Sequence, residues 1–255
     1  MSGEFEKGDA ALMVDGERTY LVKLRDDMAR IKGARGAVST DKIIGKRPGD
    51  EVRIGRRSFK LFRPDIMDVL ENLERGPQLI TPKDSARIVS NLSLKNGSRV
   101  VEGGAGSGGM TIMILNSIWK EGELTTYDIR EDHLKLAGKN VGMTGMDSIW
   151  EGRIGDIRKG VDEDELDGFM IDIPDPENSV GTAWSALVNG GRFAAYVPTV
   201  NQMERLFSSL NEAGFSRIKA EEILLREYSL KKGAMRPATE MMGHTGFMIY
   251  ARKME

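Results

Sequence analysis

The feature that most constrains the fold is a glycine-rich run at residues 102–109, with the sequence Glu-Gly-Gly-Ala-Gly-Ser-Gly-Gly. It follows the apolar segment 99–102 and precedes a segment with helical spacing, 110–119. Glycines allow a tight turn and let the backbone approach a ligand, and the first N–H groups of the following helix are free to bind a polar group. The run therefore predicts a strand, a ligand-binding loop and a helix, the opening unit of a doubly wound sheet.

The pattern from residue 65 onwards supports such a sheet. Amphipathic helical segments alternate with short apolar segments, for which we predict strands at 99–102, 123–128, 148–153, 168–172, 191–196, 217–228 and 245–253. This alternation is typical of a parallel sheet with helices on both faces. Because no helix is expected between the last two strands, we predict an antiparallel pair at that edge.

The first 64 residues have a different pattern. Two pairs of short alternating segments flank Asp15-Gly16 and Gly55-Arg56, both of which are hairpin turn signals, and Pro64 follows the second pair. We therefore predict a small β-rich or barrel-like domain at 1–64 and an α/β domain at 65–255.

Charge is unevenly distributed along the chain. The net charge is −2, but residues 1–65 hold 15 Lys or Arg against 11 Asp or Glu. Eight of the basic residues lie between 42 and 63, opposed only by two acids: Lys42, Lys46, Arg47, Arg53, Arg56, Arg57, Lys60 and Arg63. Such a patch can neutralise phosphates, although a solvated strand face would look the same in sequence.

The composition indicates a cytoplasmic protein. There is no cysteine, no apolar run of the roughly 20 residues that a membrane helix needs, and no basic start followed by an apolar stretch. No group of His, Asp and Glu has metal-ligand spacing, so we expect no metal.

Acidic residues stand at the ends of successive predicted strands. Glu102 precedes the glycines, Asp128 ends the second strand, Asp156 follows the third, and Asp172 ends the fourth, at the expected switch point of the sheet. An acid at position 128 suits ribose hydroxyls, which it could hold with both oxygens, and one at 156 suits the exocyclic amine of adenine. Any one of them could simply cap a helix, but four together favour a nucleotide-like ligand.

The glycine spacing alone would also fit NAD, but the acid before the glycines resembles the first motif of Rossmann-like methyltransferases. Nearly the full chain resembles the tRNA (adenine-N1)-methyltransferases, which modify the T-loop adenine at position 58 and, in some archaeal members, also at 57. The resemblance rests on residues 78–84 (QLITPKD), 102–109, 127–133 (YDIREDH), 172–176 (DIPDP), 236–237 (RP) and 243–246 (GHTG).

The resemblance implies a Rossmann-like domain that binds S-adenosylmethionine, a small β-rich N-terminal domain, tRNA as partner and a homotetramer. It implies that the cofactor is bound by Gln78, Glu102, Gly103, Gly104, Ala105, Gly106, Ser107, Gly108, Asp128, Ile129, His133, Asp156, Ile157 and Asp172. Asp172 is the expected catalytic residue, beside a flipped-out adenine. Arg56, Arg57, Arg236 and His244 are the expected tRNA contacts, although a structural hydrogen bond is the simpler role for His244.

Three positions depart from the family pattern. Thr81 stands where the family usually has Tyr, Asp128 replaces the commoner Glu, and Glu177 stands where Trp is frequent. Two surfaces for aromatic stacking are therefore in doubt, whereas every carboxylate position is kept. Met241 and Met242 are expected to lie in the core.

Three other functions fit parts of the sequence. A methyltransferase acting on isoaspartyl protein or on a corrin-type molecule would have the same cofactor half. A non-catalytic tRNA-binding subunit would also resemble the family, but its glycine loop and acids would be eroded. An NAD oxidoreductase would need a hydride-transfer pair, which we do not identify.

Overall fold

The computed structural model describes residues 3–30, 37–74, 76 and 79–255. Its N-terminal strands are β1 (Ala10–Asp15), β2 (Arg18–Lys23), β3 (Met28–Arg30), β4 (Ala37–Ser39), β5 (Glu51–Ile54) and β6 (Arg57–Phe62). Those of the remaining chain are β7 (Arg99–Gly103), β8 (Glu123–Asp128), β9 (Trp150–Ile154), β10 (Leu166–Ile171), β11 (Leu187–Val197), β12 (Ser216–Glu221), β13 (Tyr228–Ser229), β14 (Arg236–Pro237) and β15 (Phe247–Arg252).

The N-terminal strands form a four-stranded antiparallel sheet in the order β2-β1-β6-β5. Both predicted hairpins are present, and burial along β6 alternates as expected for a strand with one face in a core. In the described residues this sheet is open at β2 and β5, so it is not a closed barrel. A separate β3–β4 hairpin was not predicted.

The N-terminal sheet has its own hydrophobic cluster and also packs on the rest of the chain. One face buries, among others, Phe5, Met13 and Phe59. Leu12 and Leu21 belong instead to the cluster beneath the central sheet. Burying a large apolar side chain contributes about 1.5–3 kcal/mol, so the contact orients this sheet against the α/β part.

The central sheet has seven strands in the order β12-β15-β11-β10-β7-β8-β9. Strands β7 to β11 are parallel to one another, whereas β15 is antiparallel to both β11 and β12. The predicted parallel sheet with an antiparallel edge is therefore confirmed. The reversal of strand order lies between β7 and β10, so the carboxyl ends of these two strands form the switch point.

The helices are α1 (Ile66–Glu71), α2 (Pro82–Leu92), α3 (Gly109–Ile118), α4 (Glu131–Val141), α5 (Val180–Ala186) and α6 (Val200–Glu212). Helix α1 begins at a capping box between Asp65 and Asp68, and α2 begins at a proline, whose missing N–H is not needed there. The helices cover both faces of the sheet and enclose two apolar clusters. In the described part of the chain, none of them is both long and apolar enough to span a membrane.

Two expectations about the region after residue 216 are wrong. The strand predicted at 217–228 ends at Glu221, because β12 has β15 as its one neighbour and the chain leaves the sheet. Met241 and Met242 are exposed, as are Leu224 and Leu225. Apolar residues here are not evidence of a buried strand or core.

Candidate functional site

The glycine loop and the end of β10 meet at the switch point, and we call the space on the outer side of this loop the cleft. The Asp172 backbone N–H donates to the Gly103 carbonyl at 2.8 Å, and a Cβ on Gly104 would lie 2.2 Å from the Asp172 carbonyl oxygen. Gly108 caps α3 with a φ of 81°, which a side chain would disfavour. A Cβ on Gly106, by contrast, would meet open space. The loop therefore packs tightly against β10 and leaves room on its outer side.

Glu102 braces the loop from below. Its Oε2 accepts hydrogen bonds from Thr111 Oγ1 at 2.7 Å and Thr126 Oγ1 at 2.8 Å, and the residue is only 1% exposed. Burial raises the pKa of this carboxyl to about 8, although the two threonine hydroxyls partly oppose the shift. The side chain thus joins β7, α3 and β8, and its contact with a cofactor stays a prediction.

Asp128 is a largely buried carboxylate at the end of β8. Its Oδ2 accepts from the Ala105 N–H at 2.9 Å and contacts His133 Nδ1 at 3.2 Å, while its Oδ1 accepts from the Arg130 N–H at 2.9 Å. A carboxylate offers about four acceptor sites, so one on Oδ1 remains. Asp128 can therefore accept a hydrogen bond from one ribose hydroxyl, and from the expected second one only if a ligand replaces an existing partner.

The expected apolar residues of the pocket lie in different environments. Ile129 is 64% exposed beside Asp128 and offers a bare surface to a planar ring. Ile157 is buried, and its Cδ1 would lie 2.8 Å from a Cβ on Gly103, so it supports the loop from behind.

Ser107 connects the loop to the chain that precedes α2. Its side chain is buried, and its Oγ accepts from the Gly76 N–H at 3.0 Å. The Ser107 carbonyl accepts from Asn140 Nδ2 at 2.8 Å. Gln78, also expected to bind the cofactor, lies outside the described residues.

Asp156 lies after β9 and is held by Arg158, which the sequence did not single out. Its Oδ1 accepts from the Arg158 backbone N–H at 3.1 Å and from Nε at 2.7 Å, and its Oδ2 accepts from Nη2 at 3.0 Å. These hydrogen bonds lower the pKa of the Asp156 carboxyl, which therefore stays ionised at neutral pH.

Asp172 differs from the other three strand-end acids because its carboxylate has no hydrogen-bond partner in the described part of the chain. It keeps solvent access at the cleft, and no side chain or backbone N–H of the described residues donates a hydrogen bond to it. The surrounding protein nevertheless reduces its hydration, and this burial raises the pKa of Asp172 to about 7. A free acceptor with a raised pKa at a switch point is typical of a reactive site.

A buried polar cluster beside the cleft joins two distant motifs, and the sequence did not predict their contact. Asp84 is completely buried and accepts from Thr81 Oγ1 at 2.8 Å, Lys83 Nζ at 2.7 Å and Thr245 Oγ1 at 2.8 Å. Lys83 also donates to Thr245 at 2.8 Å. The hydroxyl of Thr81 therefore binds within this cluster, and the residue has no aromatic ring that could stack on a ligand.

Tyr196, near the end of β11, packs against the second of these motifs. A Cβ on Gly246 would lie 2.3 Å from its Cζ, so only glycine fits there. Burial raises the pKa of Tyr196 to about 12, and the nearby charges of Asp84 and Asp172 act in the same direction. Sequence analysis missed this aromatic ring, because a tyrosine in an apolar strand looks like an ordinary core residue.

Of the expected tRNA contacts, Arg57 already has hydrogen-bond partners within the N-terminal sheet. Its Nε donates to Asp15 Oδ2 at 2.7 Å and its Nη2 to the Tyr20 hydroxyl at 3.3 Å, and its guanidinium lies over the Tyr20 and Phe59 rings. Arg56, at the neighbouring turn, is exposed and has no partner in the described part of the chain.

Arg236 and His244 lie near the exposed region after β12. Arg236 is exposed on β14. His244 Nδ1 contacts Glu222 Oε1 at 2.5 Å and Nε2 contacts the Pro198 carbonyl at 3.1 Å. The hydrogen bond to the Glu222 carboxylate raises the pKa of His244. A structural hydrogen bond is therefore the role that the geometry gives to His244.

Glu177 does not provide a surface in the cleft. Its Oε1 accepts from Arg205 Nε at 2.6 Å, so the side chain faces α6. Its other oxygen is buried without a partner among the residues that the structure describes. The same part of the chain holds no group of three or more His, Asp or Glu side chains that could bind a metal.

The sheet order, the glycine loop at the switch point and the acids at successive strand ends define a Rossmann-like methyltransferase fold. Residues 64–236 match the family described as "tRNA methyltransferase complex GCD14 subunit", and the chain belongs to this family.

Individual proteins that resemble this chain are named as methyltransferases. The chain is 34% identical to the tRNA (adenine(57)-N(1)/adenine(58)-N(1))-methyltransferase TrmI of Methanocaldococcus jannaschii over 76% of this chain and 78% of that one. It superposes on a SAM-dependent O-methyltransferase of Thermotoga maritima with a TM-score of 0.85 and 32% identity, over 99% and 96% of the two chains. For the tRNA (m1A58) methyltransferase TrmI of Aquifex aeolicus the TM-score is 0.76 and the identity 26%, over 99% of both chains.

Proposed function

We propose that this protein transfers a methyl group from S-adenosylmethionine to N1 of the T-loop adenine at position 58 of tRNA, and that adenine 57 is a second target. Membership of the family and the names of its relatives support this activity. The single observation that carries it is the carboxylate of Asp172 beside the glycine loop, which has no partner among the residues that the structure describes.

The residues of the cleft fit the cofactor. Gly106 has no side chain that would occupy the space needed by the ligand. Ile129 exposes an apolar surface for the adenine ring. Asp128 and Asp156 each retain one acceptor site. A ribose hydroxyl and the adenine amine can donate to these two sites. When bound, the cofactor supplies an electrophilic methyl group on a sulfonium.

The reaction needs little more than positioning. Adenine N1 has an in-plane lone pair, so no base has to remove a proton before it attacks. Held beside the glycine loop with Asp128 and Asp156 as acceptors, the cofactor would supply the methyl group to N1. Its sulfur would keep the electron pair of the broken C–S bond, and the positive charge would pass to the adenine ring. Asp172, once ionised, accepts from the N6 amine and offsets that charge. It therefore both orients the base and stabilises the transition state.

The N-terminal sheet, as a separate domain at 1–64, is the proposed docking surface for tRNA. Arg53, Arg56 and Lys60 are exposed there and none pairs with an acid in the described residues. T-loop N1 is not accessible in folded tRNA, so the base must be flipped into the cleft. In this proposal the enzyme acts in the cytoplasm.

We also propose that the chain forms a homo-oligomer, as the family resemblance implies. Six large apolar side chains between β12 and β15 are exposed: Leu224, Leu225, Leu230, Met235, Met241 and Met242. Soluble monomers rarely expose so many apolar groups in one segment, whereas subunit interfaces bury them. A homotetramer accounts for this surface.

Mass spectrometry of nucleosides tests the activity. Transfer RNA incubated with the enzyme and S-adenosylmethionine should gain 1-methyladenosine, and transcripts with guanosine at 58, at 57 or at both should lose the corresponding product. Methylation that persists in the double transcript would move the target elsewhere. No methylated adenosine from any tRNA, with intact cofactor binding, would refute the proposed substrate.

A further inference from the structure

Arg158 links two carboxylates that follow different strands of the central sheet. Its Nε and Nη2 donate to Asp156 at 2.7 and 3.0 Å, and its Nη1 donates to the two oxygens of Asp175 at 2.8 and 3.0 Å. Strand β9, which precedes Asp156, lies at one edge of the sheet and is separated from β10 by β7 and β8. One guanidinium therefore connects two loops that the sheet itself keeps apart.

The path of the chain after β9 explains how this contact arises. Ile157 is buried behind the glycine loop, where a Cβ on Gly103 would lie 2.8 Å from Ile157 and 2.9 Å from Ile171. The 3₁₀ turn Ile157–Lys159 therefore crosses one face of the sheet below β7. From that position Arg158 reaches the loop after β10.

The hydrogen bonds of Arg158 determine what Asp156 can still accept. A carboxylate has about four acceptor sites. Both sites of Oδ1 are used, by the backbone N–H and by Nε of Arg158, and one site of Oδ2 is used by Nη2. One site on Oδ2 remains, so a ligand can donate a single N–H to Asp156, and from one direction.

The other half of the contact holds the loop that carries Asp172. Asp175 lies three residues after Asp172 and also accepts from Asn178 Nδ2 at 3.0 Å. The Pro174 carbonyl accepts from Gln202 Nε2 at 2.8 Å. The backbone of Asp172 is held by the Gly103 carbonyl, and Arg158 adds a side-chain contact that ties the following residues of this loop to Asp156.

We propose that Arg158 is a positioning residue that directs the free acceptor site of Asp156 towards the exocyclic amine of the cofactor adenine and, with the same guanidinium, fixes the loop that carries Asp172. This inference rests on the proposed cofactor site. It assigns no contact between Arg158 and the substrate. Cofactor recognition and the position of the catalytic carboxylate then both depend on the side chain of Arg158.

The simpler alternative is a surface ion pair. Arg158 is about one-third exposed, and exposed ion pairs contribute little to stability because water and salt screen them. Removing such a pair would slightly lower the melting temperature but would not change how the site distinguishes two cofactor analogues. Analogue discrimination therefore separates the two roles.

Calorimetry with two ligands provides the test: S-adenosylhomocysteine, and its purine analogue in which hydrogen replaces the adenine amine. The native protein should prefer the first by about 10- to 100-fold, the scale of a hydrogen bond to a charged group. Arg158→Gln should lower this preference by about fivefold or more. Arg158→Lys keeps the charge but not the planar guanidinium, so its preference should lie between those of the native protein and Arg158→Gln.

Arg99→Gln is the matched control, because Arg99 pairs with exposed Glu123 at the opposite end of the sheet. It should leave the preference unchanged. A native preference in both Arg158 variants would overturn the inference. A native preference in Asp156→Ala would instead show that the proposed cofactor site is wrong, which distinguishes the two failures.

Asp175→Asn tests the second half of the proposal. It weakens the contact from the other end and should keep the analogue preference, but it should slow single-turnover methylation of tRNA about fivefold at saturating cofactor, as Arg158→Gln should. Melting curves establish that each variant is folded. If neither variant slows methylation, Arg158 does not fix the loop that carries Asp172.

Discussion

The N-terminal sheet and the carboxyl end of the central sheet are both rich in charge, but they use it differently. In the N-terminal sheet, Arg57 and Arg63 pair with acids and lie over aromatic rings. In the cleft, Asp172 has no partner in the described residues, and Asp128 and Asp156 each keep one acceptor site. Charge that is satisfied internally supports a fold, whereas charge that is left open is available to a ligand.

The largest effect that tests this difference is expected at Asp172. Asp172→Ala should fold and bind cofactor normally, but its single-turnover rate should fall by about 10²- to 10³-fold, the scale for one preorganised electrostatic partner. Asp172→Asn keeps an acceptor oxygen and should retain an intermediate rate. Asp164→Ala, which removes an exposed acid from the loop before β10, is the control. A stable Asp172→Ala enzyme with native turnover would exclude the catalytic role.

The next largest effect concerns Asp128. Asp128→Ala should weaken cofactor binding by roughly 10- to 100-fold, since hydrogen bonds to a charged group contribute about 1.5–3 kcal/mol. It also leaves the Ala105 N–H without its acceptor, so the melting temperature should fall as well. Calorimetry would measure both Asp128→Ala and the control Asp132→Ala, whose carboxylate is exposed and pairs with Arg130. Equal affinities in the two variants would mean that Asp128 only braces the loop.

The pH dependence of the rate should be smaller but diagnostic. Because burial raises the pKa of Asp172 to about 7, its carboxylate is mostly protonated at pH 6 and mostly ionised at pH 8. Single-turnover methylation should therefore rise about tenfold over this range and then level off. The corresponding profile of Asp172→Asn should be flat. A native profile in that variant would assign the titration to another group.

Ionisation of Asp172 should also affect stability, with a sign that follows from the raised pKa. The folded state holds one proton more than the unfolded state between the ordinary value of 3.8 and about 7. Stability contributed by this group therefore falls as pH rises through that window and is constant above it. The melting temperature of Asp172→Asn relative to the native protein should increase from pH 4 to pH 7. A constant difference would show that Asp172 is not desolvated in the folded protein.

The smallest effects are expected in the N-terminal sheet. Arg57→Ala should lower the melting temperature without changing the salt dependence of tRNA binding. Replacing Arg53, Arg56 and Lys60 together by alanine should do the reverse, because each lost phosphate contact reduces the slope of log affinity against log salt by about 0.9 on helical nucleic acid. Binding titrations at several salt concentrations measure both. The same slope change in both variants would erase the distinction between paired and open charges.

The sequence predicted those parts of the molecule that depend on local pattern. Alternation of apolar residues identified the strands of the central sheet. The glycine run, together with Asp128, Asp156 and Asp172, identified the side of the sheet at which the carboxyl ends of its parallel strands lie. These features could be found because strand periodicity and loop glycines are local consequences of backbone geometry.

Pairing between distant side chains could not be predicted. The arginines at 57 and 158 look alike in sequence, yet one packs on aromatic rings and the other bridges two acids. Likewise, nothing in the sequence around Glu102 shows that its carboxyl faces Thr126 from the next strand. Periodicity indicates which face of an element is buried, but it does not identify the partner on that face.

The buried cluster of Lys83, Asp84 and Thr245 limits how this sequence can evolve. Asp84 and Thr245 are 161 residues apart in the chain, but they share hydrogen bonds with one another and with Lys83. Losing one member of a buried ion pair costs about 3–5 kcal/mol, whereas replacing both by apolar residues of similar volume can be neutral. A lineage that replaces Lys83 must therefore replace Asp84 as well, or pass through an ancestor of lower stability. Substitutions of Thr245 are restricted to residues that are compatible with this pair.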